Sequence, residues 1–294
     1  MQHDQCITGA TKVYGIIGCP VAHSLSPVMQ NAALRTAGID GVYIPFPVEP
    51  EHLCAAISGL RSLQVAGFNV TVPYKTAIMP FLDELAPSAV QAGAVNTVVN
   101  HAGRLVGHNT DGAGLISSIR QDLICELTGT RIILVGAGGA ARGALAALCR
   151  EGVAAVTVVN RTQAAAEALI LLFAADFPQT ELRVATFDAI PDELIATTDL
   201  LINATTLGMA DEKIDALSLV LLPGHAKVYD MVYAPPLTPL LADARRHGLA
   251  CANGLGMLVA QGERAFVLWH GVPAAQGVMR SALDGCHHLL QATT

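Results

Sequence analysis

Residues 135–141, Val-Gly-Ala-Gly-Gly-Ala-Ala, have the composition and spacing of a loop that holds a diphosphate group. An apolar run at 132–135 leads into the loop, and an alanine-rich segment typical of a helix follows it. Gly136 permits a tight turn and Gly138 lets the backbone approach a pyrophosphate, while the start of the helix supplies N–H donors. A second apolar run at 156–159 completes a dinucleotide-binding unit; a glycine-rich loop without a ligand is the alternative.

The residues after the second predicted strand indicate which dinucleotide fits. An NAD site carries Asp or Glu about 20 residues beyond the glycines, where the carboxylate binds the ribose 2′-hydroxyl. Here that position holds Asn160, Arg161 and Thr162, with no acid. A guanidinium there would bind a 2′-phosphate instead, so the sequence predicts NADP. The alternative is that Thr162 caps a helix and Arg161 is solvated.

Polar residues nearer the N-terminus form a second candidate set. Ser24 and Ser26 place two hydroxyls at a predicted helix start, which suits an anion such as a carboxylate; Ser26 is also expected to be the N-cap, with Pro27 at the first helical position. Lys75 follows a predicted strand, where α/β sheets bind ligands. If Lys75 and Asp111 converge, they can pass a proton to or from an alcohol oxygen while a hydride moves. A solvated lysine and a helix-capping aspartate are the alternatives.

Short apolar runs alternate with helical patterns along the first 110 residues, which is typical of α/β structure. The predicted strands are 13–18, 42–47 and 67–72, with a hairpin formed by 94–100 and 105–107. The predicted helices are 27–37, 50–61 and 82–89.

The chain beyond Asp111 predicts a second α/β domain. A helix at 111–127 is expected to leave the first domain, and continuous apolar runs then suit parallel strands covered on both faces. These runs are 131–135, 156–159, 184–187, 200–204 and 227–230. Two helices, at 257–269 and 274–290, are expected to return to the first domain.

We therefore predict a two-domain α/β protein with a cleft between the domains. Residues 1–110, completed by 257–294, form the expected substrate-binding and catalytic domain. Residues 111–256 form the expected Rossmann-type NADP-binding domain, with a parallel sheet.

Composition narrows the function classes. Hydrophobic residues make up 52% of the 294 residues, yet no apolar run approaches the roughly 18 residues that span a bilayer. The longest, 168–175, is expected to be part of a buried helix. The net charge of −7 and the scattered basic residues argue against a nucleic-acid surface, and no signal peptide is evident. Seven cysteines without a C-x-x-C pair are expected as free thiols in the cytoplasm, with no metal site.

Short motifs in one order along the chain make it resemble the shikimate dehydrogenase family (the shikimate/quinate dehydrogenases) over nearly its full length. The motifs are 24–27 (SLSP), 69–75 (NVTVPYK), 93–97 (GAVNT), 109–112 (NTDG), 136–140 (GAGGA), 160–162 (NRT), 230–233 (DMVY) and 254–261 (GLGMLVAQ). The resemblance implies reversible, NADPH-dependent reduction of 3-dehydroshikimate to shikimate, a step in the biosynthesis of chorismate and the aromatic amino acids. It leaves monomer and homodimer open.

The resemblance also implies which residues bind the substrate. It places the substrate carboxylate on Ser24 and Ser26, with Tyr233 nearby. It makes Lys75 and Asp111 the catalytic pair, with Asp111 also contacting substrate. The residues implied to hold ring hydroxyls are Thr71, Asn96 and Gln261.

The implied cofactor site combines the glycine loop with residues from three later segments. Met231 and Gly254 are implied to lie against the nicotinamide. The complete implied set is Gly136, Ala137, Gly138, Gly139, Ala140, Asn160, Arg161, Thr162, Met231 and Gly254.

The chain departs from the family pattern at three positions. Gln30 stands where the family often has His, His108 replaces a common acid, and Ala234 replaces a polar residue. These departures leave room for a related enzyme that accepts quinate or another hydroxy acid. A metabolite sensor without catalysis is the remaining alternative, but such a protein would be expected to lose the lysine–aspartate pair or the glycine loop.

Overall fold

The computed structural model describes residues 6–209, 212, 214 and 217–285. The chain divides into two compact units. Within the described residues, the first unit contains the chain up to Thr110 and the segment that begins at Leu258, and the second runs from Asp111 to Met257. Each unit is built on a six-stranded sheet.

The sheet of the first unit is mixed. Its strands are β1 (Lys12–Gly18), β2 (Gly41–Pro47), β3 (Gly67–Val70), β4 (Glu84–Leu85), β5 (Thr97–His101) and β6 (Arg104–His108). They lie in the order β2-β1-β3-β5-β6-β4. Strand β1 runs parallel to β2 and β3, whereas β5 is antiparallel to β3 and β6. The carboxyl ends of β1 and β3 therefore share one edge of the sheet with the amino end of β5.

Four helices join these strands: α1 (Ser26–Thr36), α2 (Leu53–Ser62), α3 (Tyr74–Ala77) and α4 (Pro87–Ala92). Helix α2 shows why they pack on the sheet. Its buried residues Leu53, Ile57 and Leu60 recur at the spacing of one helical face. They join the core of this unit around Phe68 and Val98 of the sheet.

The second unit has a wholly parallel sheet. Its strands are β7 (Arg131–Val135), β8 (Ala155–Val159), β9 (Glu181–Ala185), β10 (Leu200–Asn203), β11 (Lys227–Asp230) and β12 (Ala250–Asn253). Its helices are α5 (Asp111–Asp122), α6 (Gly139–Arg150), α7 (Gln163–Leu171), α8 (Asp192–Ala196) and α9 (Pro239–Arg246). The strand order β12-β11-β10-β7-β8-β9 is that of a Rossmann fold, which binds ligands at the carboxyl ends of its strands where the order reverses, beside β7.

Alternating residues of β7 explain why both faces of this sheet are covered. Ile132 and Leu134 join an apolar cluster on one face, and Ile133 and Val135 join a second cluster. A strand with period two sends successive side chains to opposite faces, so an unbroken apolar strand needs two layers of helices. The predicted α/β class with a Rossmann-type parallel sheet is confirmed.

Two more helices follow, α10 (Leu255–His270) and α11 (Val278–Asp284). In the first unit, α11 packs on α1, and Trp269 of α10 donates from Nε1 to the Val98 carbonyl at 3.0 Å. The absence of a side chain at Gly67 makes room for the indole, because a Cβ there would lie 2.3 Å from Trp269 Nε1.

The structure corrects two predicted helices. The segment predicted as helix 82–89 holds β4 and then the start of α4 at Pro87, because proline fits the first turn of a helix but not its interior. The helix predicted at 111–127 ends at Asp122, since the chain turns through Ile124 at φ +48°.

Two further predictions differ from the structure, and one strand was missed. Helix α7 ends at Leu171, and the run at 168–175 is largely exposed, with only Leu169 and Phe173 buried. Strand β12 was not predicted. Helix α11 covers only part of the predicted 274–290, of which 286–290 lie outside the described residues. No helix in the described part of the chain is long and apolar enough to cross a membrane.

Candidate active site

Ser24 and Ser26 lie where the loop after β1 enters α1. The helix begins at Ser26, with Leu25 at the N-cap position and no side-chain cap, so the prediction that Ser26 is the N-cap is wrong. The Ser26 N–H instead donates to Ser24 Oγ at 3.3 Å. Two hydroxyls beside the positive end of a helix remain suited to a carboxylate.

Thr71, Lys75 and Asn96 lie at the same edge of the first sheet. The Thr71 N–H donates to a carbonyl of β1 at 3.0 Å, and the Asn96 carbonyl accepts from the last residue of β3 at 2.9 Å. Lys75 lies on α3, and its carbonyl accepts from the Val95 N–H at 2.7 Å. The parallel pairing of β1 with β3 and the antiparallel pairing of β3 with β5 bring these three residues together.

The side-chain amide of Asn96 has a fixed orientation. Its Oδ1 accepts from the Thr110 N–H at 2.8 Å and from the Thr97 hydroxyl at 3.0 Å. Its Nδ2 donates to Thr110 Oγ1 at 2.9 Å. Asn96 is 3% exposed, so these bonds form in a site with little access to water and determine which end of the amide can donate.

Gln261 lies on α10, and its Nε2 donates to the Leu258 carbonyl at 2.7 Å. The next residue, Gly262, contacts α1. A Cβ at Gly262 would lie 2.5 Å from Met29 Cε, and Gln30 Nε2 donates to the Gly262 carbonyl at 3.0 Å. This hydrogen bond therefore links α1, which carries Ser26, to α10, which carries Gln261.

The glycine loop, residues 136–140, is open to an approaching ligand. Gly136 has φ +109°, a conformation that favours glycine. A Cβ added to Gly138 or Gly139 would meet nothing within 4 Å, so both can admit a pyrophosphate to the N-terminus of α6. In the described residues, the buried Nε of Arg142 on the first turn of α6 has no hydrogen-bond partner. These features fit a dinucleotide phosphate.

Asn160, Arg161 and Thr162 follow β8, the neighbour of β7. Asn160 Nδ2 donates to the Thr162 carbonyl at 2.9 Å and closes the turn. Thr162 occupies the N-cap position of α7 but makes no side-chain cap. The exposed Arg161 lies between them with its side chain accessible to a ligand.

Met231 and Gly254 also follow the carboxyl ends of strands, here β11 and β12. The two backbones touch, because a Cβ at Gly254 would lie 2.0 Å from the Met231 carbonyl oxygen. Tyr233 is half-buried, and burial raises the pKa of its hydroxyl. All the proposed cofactor residues thus lie at one edge of the second sheet.

A buried carboxylate supports this edge. Asp230 accepts from Asn203 Nδ2 at 2.9 Å, from the Val232 N–H at 3.0 Å and from the Thr238 hydroxyl at 2.6 Å. Burial raises the pKa of Asp230, and the three donors oppose that rise. The network fixes the turn from β11 into Met231 and Tyr233.

Asp111 is the first residue of α5 in the second unit and is half-buried. His108 ends β6, where burial lowers the pKa of its imidazole and favours the neutral form. No group of three His, Cys, Asp or Glu side chains that could hold a metal occurs in the described part of the chain.

Three family models match the chain. They are described as the shikimate dehydrogenase substrate binding domain (residues 16–98), shikimate / quinate 5-dehydrogenase (118–213) and the shikimate 5′-dehydrogenase C-terminal domain (254–283). The shikimate dehydrogenase (NADP(+)) of Geobacter metallireducens is 51% identical over 276 residues, which are 93% of this chain and 96% of the relative. The chain belongs to the shikimate dehydrogenase family.

Solved structures of shikimate dehydrogenase family members have the same fold. Shikimate 5-dehydrogenase from Thermus thermophilus in complex with NADP(H) and shikimate is 36% identical, with a TM-score of 0.83 over 94% of this chain and 99% of that one. Quinate dehydrogenase from Corynebacterium glutamicum in complex with NAD is 30% identical, with a TM-score of 0.86 over 94% and 99%. The resemblance found in the sequence is confirmed.

Sequence reasoning assigned no role to three buried residues that support the site. Tyr43 lies within an apolar strand and Thr238 precedes a helix, so no local pattern marks these two. The only signal was the polar residue Asn203 at the end of a buried run.

Proposed function

We propose that this chain catalyses the reversible, NADP-dependent reduction of 3-dehydroshikimate to shikimate, on the route to chorismate and the aromatic amino acids. The observation that carries the proposal is the 51% identity, over 93% of the chain, to a relative named shikimate dehydrogenase (NADP(+)). The open glycine loop and the exposed Arg161, with no acid beside it, support NADP as the cofactor.

In the proposed function, each of the two units binds one of the two ligands. The first unit would bind shikimate through Ser24 and Ser26 at the carboxylate, and through Thr71, Asn96 and Gln261 at the ring hydroxyls. The second unit would bind NADP through the glycine loop, residues 160–162, Met231 and Gly254, and would supply Tyr233 and Asp111 to the substrate.

The proposed chemistry needs one hydride and one proton. Bound NADPH supplies the hydride to the carbonyl carbon of the substrate. The Lys75 ammonium donates a proton to the ketone oxygen as the hydride arrives, and takes the hydroxyl proton in the reverse direction. Asp111 accepts a hydrogen bond from the substrate and orients it beside Lys75.

Replacement of Lys75 tests this mechanism. Because general acid–base catalysis contributes roughly 10²–10⁴-fold, Lys75→Ala should lower kcat by about that factor while the KM for shikimate changes little. Lys12→Ala removes an exposed lysine on β1 and serves as the matched control. A near-normal kcat in Lys75→Ala would remove Lys75 from the mechanism.

Quinate is the second candidate substrate, favoured by the family model that names both substrates. Initial rates at about 340 nm, with shikimate and quinate each offered NADP and NAD, separate the candidates. We expect the highest kcat/KM for shikimate with NADP. A higher value for quinate would replace the proposed substrate, and a higher value for NAD would replace the proposed cofactor.

We also propose a cytoplasmic location, supported by the six described cysteines, all of which are free thiols. Monomer or homodimer stays a prediction.

A further inference from the structure

A buried chain of hydrogen bonds runs through the first unit from Tyr43 to Asn96. Its first member is Tyr43 of β2, which is 1% exposed. The Tyr43 hydroxyl donates to Asn69 Oδ1 at 2.7 Å. Asn69 lies on β3 and is 5% exposed.

The direction of each bond follows from the donors available. Asn69 Nδ2 donates to the Asn96 carbonyl and to Thr97 Oγ1, both at 3.0 Å, which leaves Asn69 Oδ1 facing Tyr43. A phenol has one hydrogen, and Asn69 accepts it. Burial raises the pKa of Tyr43 well above its ordinary value, so the phenol keeps this hydrogen in any ordinary assay buffer.

The same direction continues to Asn96. Thr97 accepts from Asn69 and donates its own hydrogen to Asn96 Oδ1 at 3.0 Å. The carbamoyl oxygen of Asn96 is thereby held inward, and its Nδ2 remains the end that donates. All the bonds from Tyr43 to Asn96 point one way, and a chain of this kind is broken by the loss of any one hydroxyl.

We propose that Tyr43 is a positioning residue, which acts through Asn69 and Thr97 to fix the Asn96 amide as a hydrogen-bond donor toward a substrate hydroxyl. The inference rests on the proposed function, because Asn96 is one of its substrate-binding residues. Tyr43 does not itself touch the reacting atoms.

Tyr43→Phe tests this role, and the protein contains a matched control residue. Tyr14 lies opposite Tyr43 in the register of β1 with β2, is 3% exposed, and packs on the same Trp269 ring. Tyr14→Phe therefore removes a hydroxyl from the same core without cutting the chain. Thr97→Val removes a hydroxyl further along it.

We expect Tyr43→Phe and Thr97→Val each to raise the KM for shikimate about fivefold to tenfold, the effect of one lost hydrogen bond. The kcat should stay within about twofold and the KM for NADP should not change, because neither the reaction chemistry nor cofactor binding depends on this chain of hydrogen bonds. The double variant should resemble the worse single variant, since both substitutions cut one chain. Tyr14→Phe should leave all these constants within about twofold of wild type.

Each other outcome overturns the inference. A lower melting temperature with unchanged KM would make Tyr43 purely structural, and multiplied effects in the double variant would mean that the two hydroxyls act separately. If Tyr43→Phe does not fold, Thr97→Val and the control still decide whether the chain positions Asn96. Wild-type enzyme inactive on shikimate would refute the proposed function, whereas active wild type with normal KM in both variants would refute only this inference.

Discussion

Gly254→Ala should disturb the proposed nicotinamide site by moving backbone rather than by removing a contact. An added Cβ would lie 2.0 Å from the Met231 carbonyl oxygen and 2.6 Å from its carbonyl carbon. Ordinary van der Waals contact begins at 3.4 Å, so the gap must open by about 1.4 Å. No flexible side chain can absorb this shift, because both near atoms belong to a backbone held by the Met231 N–H bond to Asn203.

Two consequences follow from that displacement. Overpacking of this kind costs about 1–3 kcal/mol, which lowers the melting temperature by roughly 2–4 °C per kcal/mol. A misplacement of about 1 Å near the reacting atoms can also cost about 10²-fold in rate. We therefore expect kcat/KM for NADPH to fall between tenfold and a hundredfold.

The assay combines steady-state kinetics with thermal unfolding. Gly224→Ala is the control, because an added Cβ at this exposed glycine of the second unit meets nothing within 4 Å. It should retain wild-type kinetics and stability. If Gly254→Ala kept the wild-type kcat/KM for NADPH, the close approach of Gly254 to Met231 would have no part in cofactor binding, and the reasoning would be refuted.

Two further predictions concern charge. Arg161→Ala should raise the KM for NADPH about tenfold or more and leave the KM for NADH nearly unchanged, since a charge-assisted bond contributes about 1.5–3 kcal/mol. Arg183→Ala, which removes another exposed arginine, is the control. Equal losses with both cofactors would contradict a role for Arg161 in binding the 2′-phosphate. His270 has its pKa lowered to about 4, first by burial and then by Lys12. The folded state therefore favours the neutral ring. Between about pH 6.5 and pH 4 the unfolded chain binds a proton that the folded chain does not, so the free energy of unfolding declines as the pH falls through this range. In His270→Phe the free energy of unfolding should depend less on pH over this range, as measured by unfolding followed through Trp269 fluorescence. An unchanged pH dependence would show that the ring does not contribute.

Local patterns were sufficient to predict much of the second unit from the sequence. Strand β7 is an unbroken apolar run from Ile132 onward, and the glycine loop that follows has the spacing of a tight turn into a helix. Arg161 could be named from its place after such a strand, whereas Met231 was implied by the family resemblance. Strand β12 could not, because its residues Ala250–Asn253 are only partly buried and lack the apolar run.

Tertiary structure alone decided how the polar residues are connected. Local pattern marks Ser26 as a helix cap, but in the fold Leu25 takes the cap position. Tyr43, Asn69 and Thr97 meet only because β2, β1, β3 and β5 lie side by side. Hydrogen bonds of this kind depend on strand order and register, which involve residues far apart in the chain, so no window of sequence contains them. The sequence determines which groups can bind and react, and the sheet determines which way their hydrogens point.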